Sequence, residues 1–269
     1  MKALIFAAGL GTRLQPLTLD KPKALVPLCG TPMLEHQLRH LYFSGFEDIV
    51  INVHAFGEQI ESFVPDFLNR FHNEYPQNNL TISISKEYDL LRDTGGGVLH
   101  AQQLLGNEPF LVHNVDIFSN LDLKTFYTDS LALFESNSKI VANIVVSNRE
   151  TERYFLFNRD NILVGWENRK SGEVRSLYKE YSQKSVDELD RIGLRHLPFA
   201  GIHIMSPKIF SLLRSYSKGI ESNSFSIVDF YLNISRKWDI VGNVVEDLKI
   251  CDVGKIEHIA QAERFVREL

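Results

Sequence analysis

Short apolar runs bounded by turns alternate with segments of helical period through the first 146 residues. No other feature of the chain narrows its fold so far. Residues 3–7, 48–53, 80–85, 109–116 and 140–146 read as buried strands. Residues 32–44, 58–68, 93–105 and 123–135 read as the intervening helices. In the first helix Leu34, Leu38, Leu41 and Tyr42 fall on one face, and Gly45 ends it. The order predicts an α/β fold of Rossmann-like type, a mixed, mostly parallel sheet flanked by helices, as a single domain over residues 1–269.

Beyond residue 146 the rhythm changes. Short strands are predicted at 154–158, 162–165 and 199–205, helices at 207–214, 226–236 and 256–267, and a strand within 248–254. The polar stretch 168–196 is rich in Lys, Glu, Arg and Ser and reads as a mobile surface excursion. No internal repeat occurs, and no hexapeptide pattern predicts a C-terminal β-helix domain.

With 44% apolar residues among 269, the chain can build a sizeable core. A net charge of −5 argues against a general nucleic-acid or anionic-membrane partner. No apolar run reaches the roughly 18 residues of a membrane span. The two cysteines, Cys29 and Cys251, lack metal-ligand spacing and read as reduced, mostly buried side chains of a cytoplasmic protein. Oligomeric state is not written in the sequence. Against this acidic background the first thirty residues hold Lys2, Arg13, Lys21 and Lys23 and one acid, Asp20. Positive charge is local, as a small anionic ligand requires.

Those charges surround Ala7-Ala8-Gly9-Leu10-Gly11-Thr12-Arg13, a glycine loop leaving the first strand. Such a loop exposes backbone N–H groups that can cradle phosphate oxygens; the alternative is a simple turn. A dinucleotide fingerprint would need a third glycine where Leu14 stands, and no Gly-Lys-Ser/Thr follows for a Walker loop. Asp116 closes an apolar strand, where ligands of open α/β sheets sit. Asp252 repeats the arrangement before Val253-Gly254. Each alone could be a turn or helix-cap residue, but together with the anion loop they suit a hard cation such as Mg²⁺. Asp93-Thr94-Gly95-Gly96-Gly97 is a second loop that opens a helix. It either lets a flat base approach the main chain or is only a loop and cap. His113, inside a strand, reads as a core group rather than a ligand.

The run from Gly9 to Thr18 with Lys21-Pro22-Lys23-Ala24-Leu25-Val26-Pro27 resembles the signature of sugar-1-phosphate nucleotidyltransferases (NDP-sugar pyrophosphorylases). The likeness continues through Ile49–His54, Asp93–Gly97, Phe110–Asp116, Phe199–His203 and Asp252–Lys255. Among family members the chain is similar to the short N-acetylmuramate 1-phosphate uridylyltransferases, with mannose-1-phosphate guanylyltransferases close by. The resemblance implies joining of an NTP, UTP or GTP, to a sugar 1-phosphate with release of pyrophosphate and dependence on Mg²⁺. It implies that residues 1–150 mainly bind the nucleotide and 151–269 mainly the sugar phosphate. Ala8, Gly9, Gly11, Thr12, Arg13, Lys23, Thr94, Gly95, Gly96 and Asn114 would hold the nucleotide. Arg13 would neutralise the leaving pyrophosphate and Lys23 the α-phosphoryl group. Asp116 and Asp252 would bind the metal, and Glu167 and Gly201 the sugar phosphate.

Two departures stand out. Val115 replaces the glycine that many relatives carry between Asn and Asp, which would keep the backbone farther from the nucleotide. The usual Glu-Lys pair is replaced by Trp166-Glu167-Asn168-Arg169-Lys170. Glu167 answers to the glutamate, and the cation stays open between Arg169, Lys170 and neither. Rival readings are a cytidylyltransferase for a non-sugar phosphate such as phosphocholine, and a non-catalytic nucleotide-sugar sensor.

Overall fold

The computed structural model describes residues 1–268. In chain order the first half contains β1 (Lys2–Phe6), β2 (Pro27–Leu28), β3 (Thr31–Pro32), α1 (Met33–Phe43), β4 (Asp48–Val53), α2 (Gly57–Glu74), β5 (Thr81–Lys86), α3 (Asp93–His100), α4 (Gln102–Leu105), β6 (Phe110–Asn114), β7 (Ile117–Ser119), α5 (Leu123–Ser136) and β8 (Ile140–Val146). The second half adds β9 (Arg153–Phe157), β10 (Leu163–Asn168), β11 (Glu173–Arg175), α6 (Lys179–Ser182), α7 (Val186–Arg191), β12 (Arg195–Leu197), β13 (Phe199–Met205), α8 (Ile209–Ser217), α9 (Ile227–Ile234), β14 (Asp239–Val244), β15 (Ile250–Asp252) and α10 (Ile259–Glu268).

Seven strands form the central sheet in the order β14-β8-β13-β6-β1-β4-β5. All its pairings are parallel except those of β13, which runs antiparallel between β6 and β8. This is the predicted mixed, mostly parallel sheet. Its inner strands are largely apolar because helices cover both faces; all seven residues of β8 are buried. On α2 the buried Ile60, Val64, Phe67 and Phe71 recur at helical spacing and make its inner stripe. The Asp122 side chain caps α5 by accepting from the Thr125 N–H (3.0 Å). Because β13 and β14 come from the second half of the chain, the two halves are interwoven in one sheet.

Crossovers from β1 lead through β4 to β5 on one side, and the chain then returns to β6 on the other. The strand order therefore reverses between β1 and β6, and such a point opens a crevice beyond the carboxyl ends of the strands. Phe6 is paired with Asn114 there, so the glycine loop and Asn114-Val115-Asp116 emerge side by side.

Three expectations need correction. Residues 168–196 are no mobile excursion: β11 and β12 join β10 and β9 in a four-stranded sheet, and α6 and α7 lie between them. Leu189, packed with Leu156 and Val164, and a Ser185–Glu188 capping box hold this polar segment. So few apolar residues do this that the surrounding charge hid them. Strand β14 was not expected, because Gly242 and Asn243 interrupt its apolar run. Gly242 is small because the Phe157 ring would lie 2.7 Å from a Cβ there. Cys29 is exposed, at φ 52° in the turn between β2 and β3, whereas Cys251 is buried as expected. Among the described residues no helix is long and apolar enough to cross a membrane.

Candidate active site

The crevice is a cleft of about 590 Å³ whose floor is the glycine loop. Gly11 turns the loop with φ +65°, and a Cβ there would lie 3.0 Å from Thr18 Cγ2 and 3.2 Å from Lys23 Cβ. Thr18 Oγ1 donates to the Gly11 carbonyl (2.8 Å), which fixes the turn. Among the described residues, no protein acceptor takes the backbone N–H groups of Gly9, Leu10, Gly11, Thr12 or Arg13. Five consecutive donors at the lip of a cleft are a ready-made anion cradle.

Ala8 lines the cleft, but its N–H is already spent. Asn52 Oδ1 accepts from the N–H groups of Ala7 (2.8 Å) and Ala8 (3.3 Å). Ala8 therefore shapes the loop from behind and offers no donor to a ligand. Asn52 passes the contact on, donating through Nδ2 to Glu87 (2.9 Å). Neither Asn52 nor Glu87 figured among the sequence candidates. The signal was there in part: Asn52 is a lone polar residue in the run Ile49-Val50-Ile51-Asn52-Val53, and a buried amide needs partners.

Lys23 reaches into the cleft and is ion-paired with Asp116. Asp252 arrives by another route: β15 pairs antiparallel with β7, setting Asp252 opposite Ile117, and the Val253 N–H donates to the Asp116 carbonyl (2.9 Å). The two predicted carboxylate residues are thus brought to neighbouring backbones. Asp252 Oδ1 is buried without a hydrogen-bond partner. A Cβ on Gly254 would lie 2.8 Å from that oxygen and 3.4 Å from both terminal nitrogens of Arg13. Arg13 and Asp252 therefore flank Gly254, which lines the cleft with Arg13, whereas Asp252 itself does not line it. Among the described residues no cluster of three or more His, Cys, Asp or Glu could hold a metal. A cation here would need oxygens beyond the two aspartates.

Thr94 and Asn114 also line the cleft. Gly95 and Gly96 do not, and the reason for these glycines differs from the one expected. The segment leading into α9 packs against them: their N–H groups donate to the Phe225 carbonyl (2.8 and 3.2 Å). A Cβ on Gly95 would lie 2.5 Å from the Phe225 ring, and one on Gly96 would lie 2.4 Å from the Asn223 carbonyl oxygen. These glycines admit the chain itself rather than a base, and the packing places Ser224 in the cleft wall. Val115 has its side chain buried in the core, and its N–H donates to the Phe6 carbonyl (3.2 Å).

On the acceptor side, Gly201 has φ +77°, and the Asn114 amide would stand 2.5 Å from a Cβ there. It permits Asn114 to sit where it does. Glu167 is fully buried in β10 and does not line the cleft; its Oε1 accepts from Arg169 Nε (2.8 Å) and bonds His196 Nδ1 (2.9 Å). Burial drives this carboxyl upward, but the bonds from His196 and Arg169 outweigh it and hold it below the usual carboxylate range. Arg169 is consumed by Glu167 and Asp190, and Lys170 pairs with Glu152, so neither candidate cation faces the cleft unpartnered. His113 is buried in the sheet, as expected of a core group.

A loop of unengaged N–H groups at the switch point of a mostly parallel sheet, with two strand-end aspartates near it, defines an α/β protein whose cleft suits an anionic ligand. The sequence profile of the nucleotidyl transferase family matches residues 2–268, and the chain belongs to that family. It is 30% identical over 282 residues to the mannose-1-phosphate guanyltransferase of Gibberella zeae, covering 99% of this chain and 70% of that protein. It is 40% identical over 114 residues to the N-acetylmuramate alpha-1-phosphate uridylyltransferase of Caulobacter vibrioides, covering 42% of this chain and 45% of that one. The matches thus span about half the length of several curated relatives, 45% and 55% for the two uridylyltransferases. UDP-glucose pyrophosphorylase in complex with UDP-glucose superposes with a TM-score of 0.69 at 18% identity, over 99% of this chain and 98% of that one. The inositol-1-phosphate CTP transferase from T. maritima gives 0.68 at 14% identity, over 99% and 95%. These two likenesses are of fold, and they span acceptors as different as a sugar and an inositol.

Proposed function

We propose that this chain joins a nucleoside triphosphate, UTP or GTP, to a sugar 1-phosphate, giving an NDP-sugar and pyrophosphate. The observation that carries the reading is the row of five unengaged N–H groups from Gly9 to Arg13 beside Lys23 and Asp116. A triphosphate is the ligand whose many oxygens match such a row. The names of the uridylyl- and guanylyltransferase relatives support UTP or GTP and a sugar acceptor.

In the reaction an oxygen of the sugar phosphate attacks the α-phosphorus in line, and the bond to the β-phosphate oxygen breaks. The acceptor oxygen is already anionic at neutral pH, so no general base is needed. Catalysis then rests on positioning and on neutralising charge as it moves to the leaving pyrophosphate. The cradle aligns the chain of phosphates, Arg13 meets the leaving group, and Lys23 exchanges Asp116 for the α-phosphoryl oxygens. Asp116 and Asp252 fit a hard divalent cation: both offer oxygen, and the buried Asp252 Oδ1 has no protein partner. Such an ion, Mg²⁺ when bound, would supply further charge neutralisation.

The test is pyrophosphate release from four NTPs against a panel of sugar 1-phosphates, with phosphocholine as a control acceptor. Release with UTP or GTP and a sugar phosphate is expected. Arg13→Ala and Asp116→Ala should each lower kcat/KM about a hundredfold, roughly 3 kcal/mol of transition-state stabilisation. Near-normal turnover in both folded variants would remove the mechanism. Nucleotide binding without release would favour a sensor, and release only with CTP and phosphocholine would favour the non-sugar acceptor.

A further inference from the structure

The glycine loop owes its shape to a buried carboxylate that the reaction does not use. Glu87 follows β5, is fully buried, and accepts two hydrogen bonds: Oε1 from Asn52 Nδ2 (2.9 Å) and Oε2 from the Arg92 N–H (3.1 Å). Asn52, only 2% exposed, presents its other end to the N–H groups of Ala7 and Ala8. An ionised carboxylate only accepts. It therefore dictates which way the Asn52 amide faces: nitrogen towards Glu87, oxygen towards the loop.

We propose that Glu87 and Asn52 form a polarity lock that positions the phosphate cradle. The lock takes up the N–H groups of Ala7 and Ala8 on the buried side, and the next five N–H groups are left for the cleft. Through the Arg92 N–H the same carboxylate ties in the loop that opens α3, which carries Thr94 into the cleft. One charge thus sets both walls. Gly97 completes the device: a Cβ there would lie 3.0 Å from Glu87 Oε1 and 3.1 Å from Asn52 Nδ2. Any side chain at this position would wedge the lock open. The inference rests on the cleft being the triphosphate site; Asn52 acts through the loop, and Glu87, which borders the cleft, acts through Asn52 and the Arg92 N–H.

The direction of each bond supplies the test. In Asn52→Asp two carboxylates abut. In Glu87→Gln the new amide meets two donors and can accept from only one of them. The double variant Asn52→Asp/Glu87→Gln reverses the polarity and keeps both the net charge and every bond. The introduced glutamine donates through Nε2 to the introduced aspartate and accepts through Oε1 from the Arg92 N–H, while the aspartate accepts from the loop. Two readouts apply. Amide hydrogen exchange over residues 7–13 is measured without ligand, and UTP and GTP binding is measured by titration calorimetry. Each single variant should exchange faster at Ala7 and Ala8 and bind nucleotide about tenfold more weakly, the effect of one buried group left unpaired. KM for nucleotide should rise with Kd while kcat at saturation is kept. The double variant should return to within about threefold of the wild-type Kd, since coupled neighbours compensate where independent sites do not.

If both single variants bind as the parent does, or if the double is no better than the singles, the lock is wrong. Should the single variants fail to fold, a folded and binding double still supports it, and an unfolded double overturns it. If the parent binds neither nucleotide, the proposed function fails, while hydrogen exchange still decides the lock.

Discussion

Lowering the pH from about 8 to about 5 should destabilise this protein well before its carboxylates protonate. His113 and His203 are buried in the central sheet on adjoining strands β6 and β13. Burial, and secondarily the charge of neighbouring histidines, pushes them down to about 4 and about 3. An unfolded chain returns both to about 6.5. Below that value the unfolded state binds protons that the folded state refuses, so stability falls with pH through the window from about 6.5 to about 4. At about pH 5 each imidazole forgoes some 1.5 pH units of protonation, roughly 2 kcal/mol, and the pair about 4 kcal/mol. That is a large share of the roughly 5–15 kcal/mol typical of a domain. His40, lowered by burial, adds in the same direction. The buried Glu35 and Glu167 are held below the usual carboxylate range, so their contribution is lost only at still lower pH. Urea unfolding at several pH values, with His203→Gln as the comparison, gives the slope. A change under about 1 kcal/mol between pH 8 and pH 5 would refute the reasoning, as would an equal slope in the variant.

Two further outcomes follow from the packing of the cleft. Gly96→Ala places a Cβ 2.4 Å from the Asn223 carbonyl, so the segment carrying Ser224 must shift. We expect a loss of about 1–3 kcal/mol in stability together with weaker nucleotide binding; an unchanged melting temperature would show that the segment yields freely. Glu167→Gln keeps an acceptor oxygen but removes the negative charge that Arg169 and His196 share, and should cost about 1–3 kcal/mol in urea unfolding with KM for nucleotide unaltered. Unchanged stability with a raised KM for sugar phosphate would instead return Glu167 to the acceptor site.

The parts of this fold that were legible in the sequence are those where one residue type suffices as a signal. Uniformly apolar runs gave the central strands, and an aspartate at the end of such a run marked a place where side chains face a crevice. The exposed glycine loop was legible because glycine is the residue a tight turn with positive φ needs. Contacts between distant segments were not legible. Three consecutive glycines suggested an approaching ligand, but the partners are Phe225, Asn223 and the Glu87–Asn52 pair, all supplied by other parts of the chain. Glu87 itself looked like one more charge in a polar loop, because burial is a property of the whole fold. Strand β14 escaped for the converse reason: its Gly242 answers to a Phe157 ring, not to a local turn.

The pairing of β15 with β7 has a consequence for the life of the chain on the ribosome. The glycine loop, Lys23 and Asp116 are synthesised before Asp252, which reaches them only when β15 docks beside β7. Before that moment a nascent chain carries the glycine loop and Asp116 without Asp252 beside them. Truncation just ahead of Asp252 leaves it in the same condition. Such a copy keeps every strand of the central sheet and the cradle, yet lacks the carboxylate beside Arg13. The second aspartate reaches the site only with the docking of β15.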